Sequence, residues 1–230
     1  MKTIGFIGAY DKTDLLLNIA KILTTMNKRV LIVDSTINQK AKYVVPAINP
    51  TVSYITSFED IDVAIGFNNT QEIKRYSGVS NELPYDILLI DCDSIERVEK
   101  FELENANRNY FVTSFDIYSL KKGLEILSNI SVSLKLTKVL FTQEMLKEDD
   151  DYLNYLSLGY KIIWDEERIY FPIENGDLSV ISENQRLQKI KFKKLSIQYK
   201  ESMAFITQQI LEEKSDSNVR KTIKNIEKGA

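Results

Sequence analysis

The residues with the most to offer chemically sit where three short apolar runs end. Thr3–Ile7 (TIGFI) leads into Gly8-Ala9-Tyr10-Asp11-Lys12-Thr13, after which a helical pattern begins. Val30–Val33 ends at Asp34, and Ile87–Ile90 ends at Asp91-Cys92-Asp93. A lysine and a threonine at a helix start can hold a phosphate, because backbone N–H groups and the helix dipole attract the anion. The lysine then reaches the outer phosphate oxygens, the threonine hydroxyl takes Mg²⁺, and a strand-end aspartate supports the metal. On that reading Gly8, Ala9, Tyr10, Asp11, Lys12, Thr13 and Asp14 surround the phosphates, and Thr13, Asp34 and Asp91 serve Mg²⁺. A plainer reading stands beside it. Lys12 and Thr13 fit an ordinary helix start capped by Asp11 or Thr13, and Asp34 and Asp91 fit simple turns.

Composition narrows the remaining chemistry. The chain has 230 residues and no histidine, which removes histidine triads, histidine metal sites and the usual proton shuttle. Its one cysteine, Cys92, excludes an internal disulfide and points to a reducing, cytoplasmic setting. Cys92 has no evident activating partner and reads as a small buried residue. Glycine numbers 8, roughly half the usual ~7% share, so any phosphate loop here is glycine-poor. The net charge of −3 gives no general reason to expect nucleic-acid binding. A local basic patch at Lys189–Lys194 (KIKFKK), with Lys200 beyond, could contact DNA from a surface helix or simply be solvated. No run approaches the ~20 apolar residues of a membrane span, and the N-terminus lacks the long apolar core of a signal peptide. Asp149–Asp151 reads as a solvated helix end and Trp164 as core or interface packing.

The elements that must position these residues alternate. Thr3–Ile7, Val30–Val33, Ile87–Ile90, Tyr110–Thr113, Val139–Phe141 and Lys161–Trp164 read as short strands. Leu16, Ile19, Ala20, Leu23 and Met26 form one apolar stripe over Thr13–Met26. Leu120, Leu124, Leu127 and Ile130 do the same over Ile117–Ile130, and Leu187–Leu211 reads as a long helical region of one or two segments. Fully apolar strands alternating with helices imply an α/β fold, a mostly parallel central sheet flanked by helices. In such a sheet ligands bind at the carboxyl ends of the strands, where Lys12, Asp34 and Asp91 all fall. Residues 35–84 show no clear pattern.

In order and spacing these pieces resemble the ParA/MinD-like P-loop ATPases, a branch that includes the TadZ/CpaE pilus-positioning proteins. The resemblance covers most of residues 2–130 and runs more thinly to about 211. It rests on TIGFI plus GAYDKT, on KRVLIVDST, and on YDILLIDCDS as the Walker B strand. YFVTSFDIYSLKKGLEIL matches the strand and helix that follow, and IYFPIENGDLSVISENQ the late strand and loop beside the nucleotide base. The resemblance implies a three-layer sandwich, ATP or ADP with Mg²⁺ as cofactor, and Pro172 near the base. It also implies a homodimer formed through the nucleotide face, and a protein partner whose identity the sequence does not give.

The departures bear on activity. The family loop, K-G-G-x-G-K-S/T-S/T, falls on Ile7 to Asp14. Ile7 replaces the lysine that in relatives crosses to the partner's nucleotide, Asp11 replaces a glycine, and Asp14 the last hydroxyl. After the second strand Thr36 stands where relatives often carry a water-positioning aspartate. Two carboxylates ~4 Å from a phosphate charge each oppose it by about 4 kcal/mol at an effective dielectric of 20. Asp11 could pair with Lys12 and close the empty loop. Efficient ATP hydrolysis is therefore not expected.

Two functions follow from the resemblance. One is a nucleotide-binding or degenerate ATPase protein that positions or partitions a partner: a plasmid, a secretion or pilus machine, or division proteins. The other is a nucleotide-independent adaptor on the same fold. The domain is expected over residues 1–212, followed by a polar, flexible tail at 213–230. Relatives of the MinD kind end in a basic amphipathic helix, but Val219, Ile223 and Ile226 offer little apolar area, so membrane binding is not expected.

Overall fold

The computed structural model describes residues 1–47, 51–144, 147–212 and 217–229. The first half carries β1 (Lys2–Ile7), α1 (Thr13–Thr25), β2 (Val30–Asp34), α2 (Ala41–Val44), β3 (Tyr54–Phe58), β4 (Ile61–Ile65) and α3 (Thr70–Tyr76). Then come β5 (Ile87–Cys92), α4 (Ile95–Lys100), β6 (Arg108–Ser114), α5 (Ile117–Ser128), β7 (Leu134–Thr142) and α6 (Lys147–Leu156). The chain ends in β8 (Ile162–Pro172), α7 (Asn175–Leu187), α8 (Ile197–Leu211) and α9 (Ser217–Lys228). The strands form one eight-stranded sheet in the order β3-β4-β2-β5-β1-β6-β7-β8. Every pairing is parallel except β3 with β4.

The sheet separates two apolar layers because side chains alternate along each strand. From β1, Ile4 and Phe6 face a layer built with Leu16, Ile19 and Leu23 of α1 and Met203, Ile206 and Ile210 of α8. Ile7 faces the opposite layer, with Ile73 of α3, Val98 of α4 and Leu120, Leu124 and Leu127 of α5. β5 (ILLIDC) lies between β1 and β2 and is buried throughout, which is why its sequence is continuously apolar up to Asp91.

Four expectations need correction. The long helical region from Leu187 is broken: α7 ends at Leu187, Gln188 takes a left-handed φ of 48°, and α8 begins only after Ser196. Between them Ile190 and Phe192 are buried while Lys189, Lys191, Lys193 and Lys194 are exposed, so the basic patch lies on a connecting segment and not on a helix. The tail is not loose over 217–228. There α9 packs Val219, Ile223 and Ile226 into the core beside α1 and α8, and Arg220 Nη2 pairs with Glu201 at 2.7 Å. Three aliphatic residues on one helical stripe suffice because α1 and α8 already present an apolar groove. Finally, Asp150 is not solvated but buried in an ion pair with Lys138.

Candidate functional site

Parallel pairing brings the functional strand ends level. Asp34 of β2 stands opposite Asp91 of β5, and Phe6 of β1 opposite Asp91 from the other side. Gly8 starts the turn after β1 at φ 140°, and a Cβ there would lie 2.1 Å from the Val112 carbonyl oxygen, so only glycine fits. The turn is pinned by the Gly8 N–H donating to the Cys92 carbonyl at 3.0 Å. It then delivers Lys12 to the N-cap position of α1 and Thr13 to the first turn.

Lys12 is buried and points inward. Its ammonium pairs with Asp91 Oδ1 at 2.9 Å and donates to the carbonyls of Gly8 (2.6 Å) and Tyr10 (3.1 Å). Two of these contacts are hydrogen bonds and the third is ionic, for Asp91 Oδ1 is buried without a hydrogen-bond partner among the described residues. Burial pushes the Asp91 carboxyl up to about 7, with Lys12 pulling the other way.

Asp11 pairs with Lys40, not with Lys12. One carboxylate oxygen accepts from the Thr13 N–H at 3.1 Å, and the other meets the Lys40 ammonium. Burial raises the Asp11 carboxyl, but Lys40 and the Thr13 N–H outweigh it and hold it below the usual range. Lys40 also lies 3.6 Å from Asp14, whose oxygens accept from Gln185 Nε2 at 3.0 and 2.8 Å. Asp14 is raised by burial despite these partners.

Two cavities flank the turn. One of about 290 Å³ is lined by Tyr10, Asp11, Lys12, Thr13, Thr36, Asn38, Lys40, Tyr43, Asp91 and Asp93, among others. The second, of about 380 Å³, lies toward α7 and includes Pro172, Phe141, Leu178 and Tyr199. Tyr10, Asp11 and Lys40 border both. Tyr10 stacks on Phe141 with ring centroids 4.5 Å apart, and Phe141 stacks on Phe171 at 4.9 Å. Thus Gly8 to Asp14, Asp91 and Pro172 come together around the turn.

Asp34 does not join them. Its carboxylate accepts from the Ala41 N–H at 2.9 Å, the Thr36 N–H at 3.1 Å and Thr36 Oγ1 at 2.6 Å. It holds the start of α2, level with Asp91 at the strand ends. Among the described residues no group of three or more acidic or cysteine side chains is placed to hold a metal ion. Cys92 is buried beside Ser35 Oγ at 3.2 Å, and burial pushes its thiol up to about 12, which leaves it inert.

As its side chains stand, the turn is closed to a Mg²⁺-bound nucleoside polyphosphate by its own carboxylates. Asp11, Asp91 and Asp93 face the first cavity, and its two lysines are already spent on carboxylates. The Thr13 N–H, which would meet a phosphate oxygen, is taken by Asp11. Sequence reasoning missed Lys40 and Gln185. The two aspartates beside Lys12 were the available signal, because two neighbouring carboxylates call for a further cation or donor.

No family model matches the chain, and no curated protein does. Solved structures are similar. The MinC:MinD cell division complex of Aquifex aeolicus superposes with a TM-score of 0.57 at 12% identity, over 94% of this chain and 97% of that one. A ParA family ATPase from Chlorobium tepidum TLS gives 0.54 at 15% identity, over 97% and 96%. The MinD cell division protein of Aquifex aeolicus gives 0.54 at 12% identity, over 94% and 98%. Nearly full mutual coverage, together with a strand order that places the Gly8–Thr13 turn beside Asp91, makes this the ParA/MinD-like P-loop fold.

Proposed function

We propose that the chain is a positioning protein of the ParA/MinD-like fold whose phosphate loop is closed by its own side chains. It works through a protein partner, with little or no ATP turnover. One observation carries the reading: Lys12 is drawn inward by an ion pair to Asp91 and by the carbonyls of Gly8 and Tyr10, while Asp11 takes the Thr13 N–H. Two substitutions support it. Ile7 is fully buried in the core layer and brings no charge to a second subunit. Thr36 spends its hydroxyl on Asp34. Phosphoryl transfer needs charge stabilisation and a positioned nucleophile, and Lys12 and Thr36 are both engaged with other groups. A homodimer through this face is the expected assembly, in the cytoplasm, and the exposed lysines at 189, 191, 193 and 194 are the surface to test for DNA.

The test is a titration with a fluorescent ATP analogue, with and without Mg²⁺, beside a phosphate-release assay. The expected result is no saturable binding below millimolar ligand and turnover equal to that of Lys12→Ala. Tight Mg²⁺-dependent binding that Lys12→Ala abolishes would overturn the reading. A nucleotide-dependent switch would replace it. The two cavities on either side of the turn, with Pro172 beside the second, favour that alternative.

A further inference from the structure

We propose that Asp11 and Lys40 form an autoinhibitory latch, and that releasing it opens the α1 N-terminus to a nucleoside polyphosphate. The proposal rests on the reading that the Gly8–Asp14 turn is a closed phosphate loop, and it names the part that closes it. Asp11 does two things at once. Its Oδ1 occupies the Thr13 N–H, the position a phosphate oxygen would need, and its other oxygen holds Lys40 across the border of both cavities. Lys40 is also 3.6 Å from Asp14, which Gln185 ties to α7. The latch thus joins the turn, the segment after β2, and α7.

Its layers differ in strength. The inner pair, Lys12–Asp91, has side chains only 2% and 4% exposed, whereas Lys40 and Asp11 are 39% and 45% exposed. An ion pair that wet is weakly held and screened by salt, so it can exchange with a competing anion. Lys40 follows a residue with a left-handed backbone: Gln39 has φ 47°, a conformation that non-glycine residues adopt at a cost. On its other side the chain is fixed, since the Asp34 carboxylate holds the Ala41 N–H at 2.9 Å. Released from Asp11, the Lys40 ammonium keeps only its 3.6 Å contact with Asp14 at the cavity mouth. Loss of the Asp11 charge also removes a carboxylate from the phosphate position.

The experiment uses the full chain, a fluorescent ATP analogue and Mg²⁺. Asp11→Asn keeps an oxygen to cap Thr13 but releases Lys40, and Asp11→Gly removes the plug altogether. Both are expected to tighten binding at least tenfold, Asp11→Gly more. Lys40→Met in the Asp11→Asn background is expected to lose most of that gain, because the freed ammonium is gone. Hydrogen exchange of the amides from Thr36 to Ala41 is expected to rise in Asp11→Asn and in Lys40→Met without nucleotide. Unchanged affinity in both Asp11 variants, with wild-type thermal melts, overturns the latch. Lys12→Ala in each background then separates the two ideas. Binding that depends on Lys12 keeps the phosphate-loop reading alive without the latch, and binding that nowhere depends on Lys12 removes both.

Discussion

Among the described residues, two lysine–aspartate pairs are buried against this one sheet, and one of them sits at the candidate site. Lys138 and Asp150 lie 2.6 Å apart with side chains 4% and 5% exposed, much like Lys12 and Asp91 at 2.9 Å. The surroundings differ. Lys138 also donates to Asn154 Oδ1 at 2.5 Å and sits 4.9 Å from the centre of the Trp164 ring. The second oxygen of Asp150 takes Arg168 Nη1 at 2.5 Å. That network fastens α6 to β7 and β8 with side chains alone. Lys12 instead leans on the backbone of its own turn and borders a cavity of about 290 Å³. Burial of an ion pair therefore does not mark function. What marks it is an adjoining volume, a helix start, and further carboxylates that the structure has had to neutralise.

The largest expected effect tests this difference directly. Asp150→Ala strands Lys138 in a dry setting and is expected to cost about 3–5 kcal/mol. Asp91→Ala leaves Lys12 with two carbonyls and a cavity that water can enter, so it is expected to cost less, about 1–3 kcal/mol. Urea denaturation of both variants measures the gap. Equal costs, or a larger one at Asp91, would erase the distinction drawn between glue and site.

A smaller effect sharpens the Lys12–Asp91 half. Unfolded, Asp91 releases its proton near 3.9. Folded, it holds the proton up to about 7, because burial outweighs the nearby Lys12. Between those values the folded state binds more protons, so this group's contribution is full below about 4 and fades as pH rises through 7. Asp14 and Asp93, also raised by burial, act in the same direction. Stability is expected to fall from pH 4.5 to 7.5, and Asp91→Asn to make that fall shallower. An identical slope in the variant would mean that Asp91 is ionised throughout.

What could be read beforehand follows the same division. The central strands were legible because both faces are buried, so VLIV and ILLI had to be apolar without interruption. Lys12, Thr13 and Asp91 were legible because their motif is local to strand ends. The β3–β4 hairpin was not. Its turn residues, Glu59 and Asp60, take φ 53° and 67° without the glycine or asparagine that usually announces such a turn. Helix α7 reads as a loop because the pattern of ENGDLSVISENQ buries only Asp177 and Val180. The partner of Asp11 was illegible for a deeper reason. Lys40 lies 29 residues away, and nothing local to either residue encodes their meeting.

The smallest expected effect concerns that same Lys40. As an exposed pair, Lys40–Asp11 should contribute between nothing and about 1 kcal/mol to folding. Lys40→Met should accordingly unfold in urea within about 1 kcal/mol of wild type, far from the loss at Asp150. The value of the measurement lies in this contrast. Lys138 and Lys40 each bind two acidic or amide partners and each bridge separate segments, yet only Lys138 is sealed from water. A strut must be expensive to remove, whereas a latch must be cheap, since a ligand has to displace it with ordinary binding energy. A cost of several kcal/mol for Lys40→Met would make it a second strut, and the turn at Lys12 would then be closed for good.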